Sequence, residues 1–259
     1  MRSISSRQCR TAGALFFAAA LAAVGANAQD GGEDEETEFG EAEFFFELND
    51  TDGDLGVHSL IDGDDWRRLR IEDPGERVIL DITARGRLGK HGLTELSFES
   101  AEPTFDELPA AEIFKRFPEG TYEIEARKLD GGKLESEVEL SHVLPAPAGN
   151  VQISGVAAPV NCSAALPTVA APIVFSWDAV TMNHPTLGDP GAIAIESYEL
   201  IVELLGTDVE SGVVLPPEVT SFQVSDDLLA LADGEVKFEI LARDENGNRT
   251  AVESCFNLE

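Results

Sequence analysis

The residues best suited to hold a ligand lie in Asn49-Asp50-Thr51-Asp52-Gly53-Asp54. Asp50, Asp52 and Asp54 alternate in a tight glycine turn, and such carboxylates suit Ca²⁺, which takes about six to eight oxygens. The loop is not an EF-hand. Counted from Asp50, the positions that need Gly and Glu hold Leu55 and Ile61. Asp62-Gly63-Asp64-Asp65 would add ligands only if both loops met at one end of the fold, and the single strand between them tends to place them at opposite ends. The alternative is a set of solvated turn aspartates.

A second cluster has the opposite sign. Arg67, Arg68, Arg70, Arg77, Arg85, Arg87 and Lys90 crowd one stretch of a strongly acidic chain. They would hold an anionic ligand, a polyanionic glycan or the chain's own acidic segment. The alternative is cross-strand pairing with Glu72, Glu76 and Asp81.

Catalytic signatures are missing. His58, His91, His142 and His184 are widely separated, with no HExxH and no Cys/His cluster. There is no G-x-S-x-G, P-loop or dinucleotide fingerprint. Carboxylate pairs occur throughout, so they do not single out a glycosidase. Trp66 and Trp177 read as sandwich-core residues before sugar-stacking platforms.

Several elements must position these groups. The chain has 259 residues, 43% of them hydrophobic, enough for two ordinary cores. Arg2, Arg7 and Arg10, the apolar run Ala12 to Val24 and Ala26-Asn27-Ala28 form a signal-peptide pattern cleaved after Ala28. No other run approaches the roughly 20 apolar residues of a membrane span. Net charge is −31, from 18 basic and 49 acidic residues. Cleavage removes three Arg, giving 15 − 49 = −34. That charge disfavours nucleic acid and anionic membrane as partners. The mature chain keeps Cys162 and Cys255, which in an oxidising compartment form one disulfide or stay as two buried thiols. Asn49, Asn161 and Asn248 head Asn-x-Ser/Thr triplets, relevant only in a eukaryotic secretory pathway.

Residues 29–43 are acidic and read as disordered. Order is expected from Phe44. Strand starts fall at Phe44, Val57, Trp66, Arg77, Leu93, Tyr122 and Leu134, with an Asp62-Gly63 hairpin turn and a short helical connection within Phe105 to Phe117. Residues 144–150, Leu144-Pro145-Ala146-Pro147-Ala148-Gly149-Asn150, read as a linker that leaves two modules loosely related. The second half restarts at Val151 and closes with Asp233-Gly234 to Thr250, an alternating strand followed by an Asn246-Gly247 turn.

Phe175-Ser176-Trp177, Glu196-Ser197-Tyr198-Glu199-Leu200, Thr220 to Val224, Leu228-Leu229, Gly234 and Ala242 to Asn248 follow one another in the order of a fibronectin type III domain, which residues 151–259 resemble. The family's Tyr two residues after that Gly is Val236 here, so its hydrogen-bonded corner is absent, with Cys162–Cys255 as a substitute tie. Residues 44–143 are more loosely similar to the same Ig-like superfamily and keep that Tyr as Tyr122. The expected fold is all-β: two tandem β-sandwiches after a signal peptide and an acidic segment. The resemblance implies a spacing or binding role; with the signal-peptide pattern and the Asp50–Asp54 loop, the expectation is a non-enzymatic exported protein, secreted or periplasmic, contacting an unknown protein or glycan, with Ca²⁺ as the one candidate cofactor. The alternatives are a carbohydrate-active accessory or hydrolase-like protein, and a calcium-stabilised structural envelope protein.

Overall fold

The computed structural model describes residues 36–259. The expected signal peptide and residues 29–35 of the acidic segment lie outside the described residues. The first module contains β1 (Glu36–Thr37), β2 (Glu41–Asn49), β3 (Asp54–Glu72), β4 (Val78–Thr83), β5 (Leu93–Glu99), β6 (Gly120–Lys128) and β7 (Lys133–Leu140). Its connections hold α1 (Leu88–His91) and α2 (Ala110–Arg116). The chain alternates as a half-buried strand must. Phe44, Phe46 and Leu48 of β2 point into a core shared with Trp66, Leu69, Tyr122, Ile124 and Leu134.

The expected hairpin at Asp62-Gly63 does not form. The chain runs straight through it as one strand, β3, of 19 residues. Gly63 is not among the glycines with positive φ that a type I′ turn requires. Phe39 and Leu134 sit against it instead: a Cβ there would lie 3.1 Å from Phe39 Cδ1 and 3.3 Å from Leu134 Cδ1. Register shifts between Asp62 and Trp66 and between Trp66 and Arg68 mark bulges. Bulges bend a strand and let it change layers. The first half of β3 pairs with β2 and β5, the second half with β4 and β6.

Order also begins earlier than Phe44. β1 pairs in parallel with β7, and β2 pairs with β3 from Glu41 onward. The acidic residues here lie on an edge, and Phe39, only 7% exposed, anchors them to the core.

The second module contains β8 (Gln152–Ile153), β9 (Val156–Ala157), β10 (Thr168–Val169), β11 (Val174–Ser176), β12 (Ile195–Leu204), β13 (Val209–Leu215), β14 (Ser221–Gln223), β15 (Glu235–Asp244) and β16 (Arg249–Leu258). A short helix, α3 (Asp226–Leu229), is capped where Ser225 Oγ accepts a bond from the Asp227 amide. Sheet β14–β11–β8–β9 packs on sheet β13–β12–β15–β16. Phe175 and Trp177 meet Tyr198, Phe238 and Phe256 between the layers.

Tyr122 Oη donates a 3.0 Å bond to the Pro118 carbonyl. Gly120 before it has φ +129°, and Gly234 at the equivalent place has φ +113°. Val236, which replaces the second tyrosine, is wholly buried.

The two modules are not loosely joined. β16 pairs in parallel with β2, matching Arg249 to Glu47, Thr250 to Leu48 and Ala251 to Asn49. One sheet therefore passes through both modules. Leu144 and Pro145 of the expected linker are buried, because their carbonyls and neighbouring amides find partners in the second module.

Candidate functional site at the module junction

The turn between β15 and β16 builds the junction. Gly247 adopts φ +88°, its amide bonds to the Asp244 carbonyl at 3.0 Å, and the Asp244 amide bonds to the Asn248 carbonyl at 3.0 Å. The Asp244 carboxylate accepts from the Asn246 amide. Burial pushes this carboxyl up to about 6, with the Asn246 and Asn248 amides and Arg243 pulling the other way. The geometry aims Asn248 at the first module. Asn248 Oδ1 accepts from the Phe46 amide at 2.8 Å. Its Nδ2 donates to the carbonyls of Ser141 at 3.0 Å and Val143 at 2.7 Å. Two residues on, Thr250 Oγ1 donates to the Pro145 carbonyl at 2.8 Å. Asn248 is fully buried, so its Asn-x-Thr triplet is closed in the folded chain.

A second bridge comes from the connection between β11 and β12, which the sequence presents only as a Pro/Gly-rich loop. The His184 amide donates to the Leu144 carbonyl at 2.7 Å, and the Ala146 amide to the Met182 carbonyl at 2.9 Å. His184 Nδ1 accepts from the Thr186 and Leu187 amides. Nε2 is then the protonated nitrogen and donates to Asp50 Oδ1 at 2.9 Å. Leu187 packs on the first core. Gly188, at φ +65°, lets this loop lie on the first module: a Cβ would fall 1.8 Å from the His142 carbonyl oxygen.

These contacts decide where the expected calcium residues go. Asp50 is turned to His184. Asp52 is exposed, while Asn49 Oδ1 accepts from the amides of Thr51 and Asp52. Asp54 begins β3, and burial, followed by the charges of Glu102, Asp52 and Glu253, pushes it up to about 6. Asp50, Asp52 and Asp54 do not converge as a ligand group; among the described residues the converging groups are His58, Glu99 and Glu102, and Glu123, Glu125 and Glu135. Asp64, on the other acidic stretch, is paired with Lys128.

The basic cluster divides. Arg68 pairs with Asp81, Arg70 with Glu72 and Glu125, and Arg77 with Asp73. Arg67, Arg85, Arg87 and Lys90 are exposed around the turn that carries α1. Cys162 and Cys255 are joined, tying the strap before β10 to β16.

The outer face of the shared sheet is ionic. Arg243 meets Glu43 at 2.7 Å and Glu196 at 2.9 Å, so a second-module cation is held by a first-module carboxylate. Arg249 lies 4.3 Å above the ring of Phe45. Phe45 in turn stacks on His58 at 5.7 Å. His58 Nε2 lies 2.9 Å from Glu102 Oε1, and Nδ1 lies 4.0 Å from Glu47 Oε2. Burial pulls His58 down, yet the Glu102 bond and the charges of Glu47, Glu102 and Glu99 outweigh it, and the ring titrates above its ordinary value.

The layers, the two-sheet core and the Tyr122 corner settle the architecture. The second module is a fibronectin type III-like sandwich. The first is an Ig-like sandwich in which β3 serves both layers. No family model and no curated protein matches the chain. Among solved structures, it is similar to a tetra-tandem repeat in the extending region of a large adhesion protein, at 13% identity and TM-score 0.29, over 85% of this chain and 50% of that one. It is similar to the chicken CNTN1 FN1-FN3 domains at 9% identity and TM-score 0.32, over 85% of this chain and 67% of that one. A two-domain fibronectin type III segment from chicken tenascin aligns at 11% identity and TM-score 0.28, over 85% of this chain and 98% of that one. The chain spans half the length of the adhesion-protein structure. The strand order, rather than these likenesses, carries the fold.

The sequence reading missed Asn248, Thr250 and His184 as junction residues. The one available signal was Asn248 itself, a polar residue directly after a hairpin glycine and before an alternating strand.

Proposed function

We propose that the chain is exported, with cleavage after Ala28, and works outside the cytoplasm as a non-enzymatic binding or spacer protein. The observation that carries this reading is the sheet running from one module into the other through β2 and β16. A junction fixed by backbone pairing suits a part that holds one contact at a set position relative to another. The disulfide fits an oxidising compartment. No helix among the described residues is long and apolar enough to cross a membrane. The partner is a protein or glycan met by loops or by an edge strand. Strand β13 is such an edge, with Val214 exposed on it.

Residues 29–259, immobilised and exposed to envelope and extracellular fractions with and without Ca²⁺, test the reading. The expected result is selective retention of one protein or glycan, reduced by Val214→Pro with the melting temperature unchanged. Turnover of a polysaccharide by the purified chain, abolished by a single carboxylate-to-amide change, would replace this reading with the hydrolase-like one.

A further inference from the structure

We propose that His58, Glu99 and Glu102 form a binding site for one divalent transition-metal cation of the Zn²⁺ or Mn²⁺ class. One ligand atom from each lies within 4.8 Å of the other two. The backbone makes this convergence. His58 on β3 and Glu99 on β5 face each other across an antiparallel pair. Glu102 follows directly, where Ser100 is clasped to Val57 by amide bonds in both directions.

The donor chemistry selects the cation. One imidazole nitrogen and two carboxylates make a mixed set, suited to Zn²⁺ and Mn²⁺, whereas Ca²⁺ takes oxygen ligands only. Three protein donors leave positions for water. Glu99 and Glu102 also lack a competing cation: among the described residues Glu102 is ion-paired only with His58, and no ion pair is seen for Glu99.

Two further features lie outside the donor set and favour a bound ion. The His58 ring is fixed from behind by the Phe45 stack, itself covered by Arg249. That leaves Nδ1 facing Glu47 at 4.0 Å while Nε2 faces Glu102 at 2.9 Å. A histidine that ligates through one nitrogen and turns the other to a carboxylate is the usual way a metal-binding imidazole is oriented. A bound ion would take Nε2 in its unprotonated form, with the ring proton on Nδ1 towards Glu47 and any displaced proton passing to solvent. The second feature is Gly56. A Cβ there would lie 2.6 Å from Glu102 Oε1 and 2.7 Å from Glu102 Cγ. Without a side chain at this position, Glu102 lies directly over the β3 backbone.

The test is titration of metal-stripped residues 29–259 with Zn²⁺ by calorimetry, and with Co²⁺ by visible absorption. One ion per chain is expected, with visible Co²⁺ bands that Zn²⁺ displaces. His58→Ala and Glu102→Gln each weaken binding by about tenfold or more, and His91→Ala, on the exposed α1 turn, binds as the parent does. Melting temperatures measured without metal confirm that the variants are folded. No saturable binding at submillimolar Zn²⁺, or undiminished binding by Glu102→Gln and His58→Ala, overturns the proposal.

Discussion

The amide of Phe46 and the side-chain oxygen of Asn248, 202 positions apart, are joined by a 2.8 Å hydrogen bond across the module junction. Asn248, from the second module, reaches the first through both ends of its side chain, Oδ1 accepting from Phe46 and Nδ2 donating to Ser141 and Val143. Asn248→Ala strands the Phe46 amide and the Ser141 and Val143 carbonyls of the first module. Each unsatisfied group costs about 1–3 kcal/mol, so a total loss of about 3 kcal/mol is expected. At about 2–4 °C per kcal/mol, the melting temperature falls by about 6–12 °C. A drop confined to the scatter of surface substitutions would show that the bond is not structural.

Gly188→Ala should separate the second bridge from the first. The new methyl meets the His142 carbonyl, and φ +65° is costly for any L side chain. The loop must lift, withdrawing Leu187 from the first core and His184 from Asp50. Gly149→Ala is the matched control, since nothing lies within 4 Å of its added carbon. Calorimetric scans are expected to show a clear loss for the first variant and almost none for the second.

Reduction of Cys162–Cys255 should cost about 3–5 kcal/mol, because the bond closes a loop of 93 positions. Two modules joined only by a loose linker would leave the first nearly untouched. The structure changes that expectation: Cys255 lies on β16, which also pairs with β2. Hydrogen exchange after reduction is expected to show faster exchange in β2 as well as β15. Protection of β2 that survives intact would show that the junction is independent of the bond.

Acidification is expected to stabilise the protein before it destabilises it. Asp244 titrates at about 6 in the folded chain against an ordinary 3.8. Its protonated form is the favoured one, so its contribution is fully present below the ordinary value and is lost as pH rises through about 6. Asp54 acts in the same direction. Stability should therefore rise by about 1–2 kcal/mol, after solvent screening, as pH falls from 7 to 5, and the melting temperature with it. Asp73 works oppositely: its hydrogen bond with Arg77 holds its carboxyl low, and that support disappears at still lower pH. Asp244→Asn should flatten the rise between pH 7 and 5; an unchanged profile would remove Asp244 as its cause.

Strand positions and the second sandwich were legible because alternation, turn glycines and the Phe175–Trp177 signature are local. The Asp62-Gly63 error shows the limit. Whether an Asp-Gly pair turns depends on what lies on it, and Phe39 and Leu134 come from distant parts of the chain. The Asp50 loop shows the same limit. Its carboxylates look like ligands until His184, 134 positions away, takes one of them. The cluster at His58 was equally hidden, because Glu99 and Glu102 become its neighbours only through the pairing of β3 with β5.

The pairing of β2 with β16 also imposes a timetable. During synthesis β2 emerges long before β16, so the first sandwich must wait with one edge of its sheet unpaired. An open edge can recruit another chain, and closure over such a sequence separation is slow. The interval between making β2 and delivering β16 is thus the period of greatest aggregation hazard. A holdase acting on the unfinished chain would be needed most then, before the molecule has sealed its own seam.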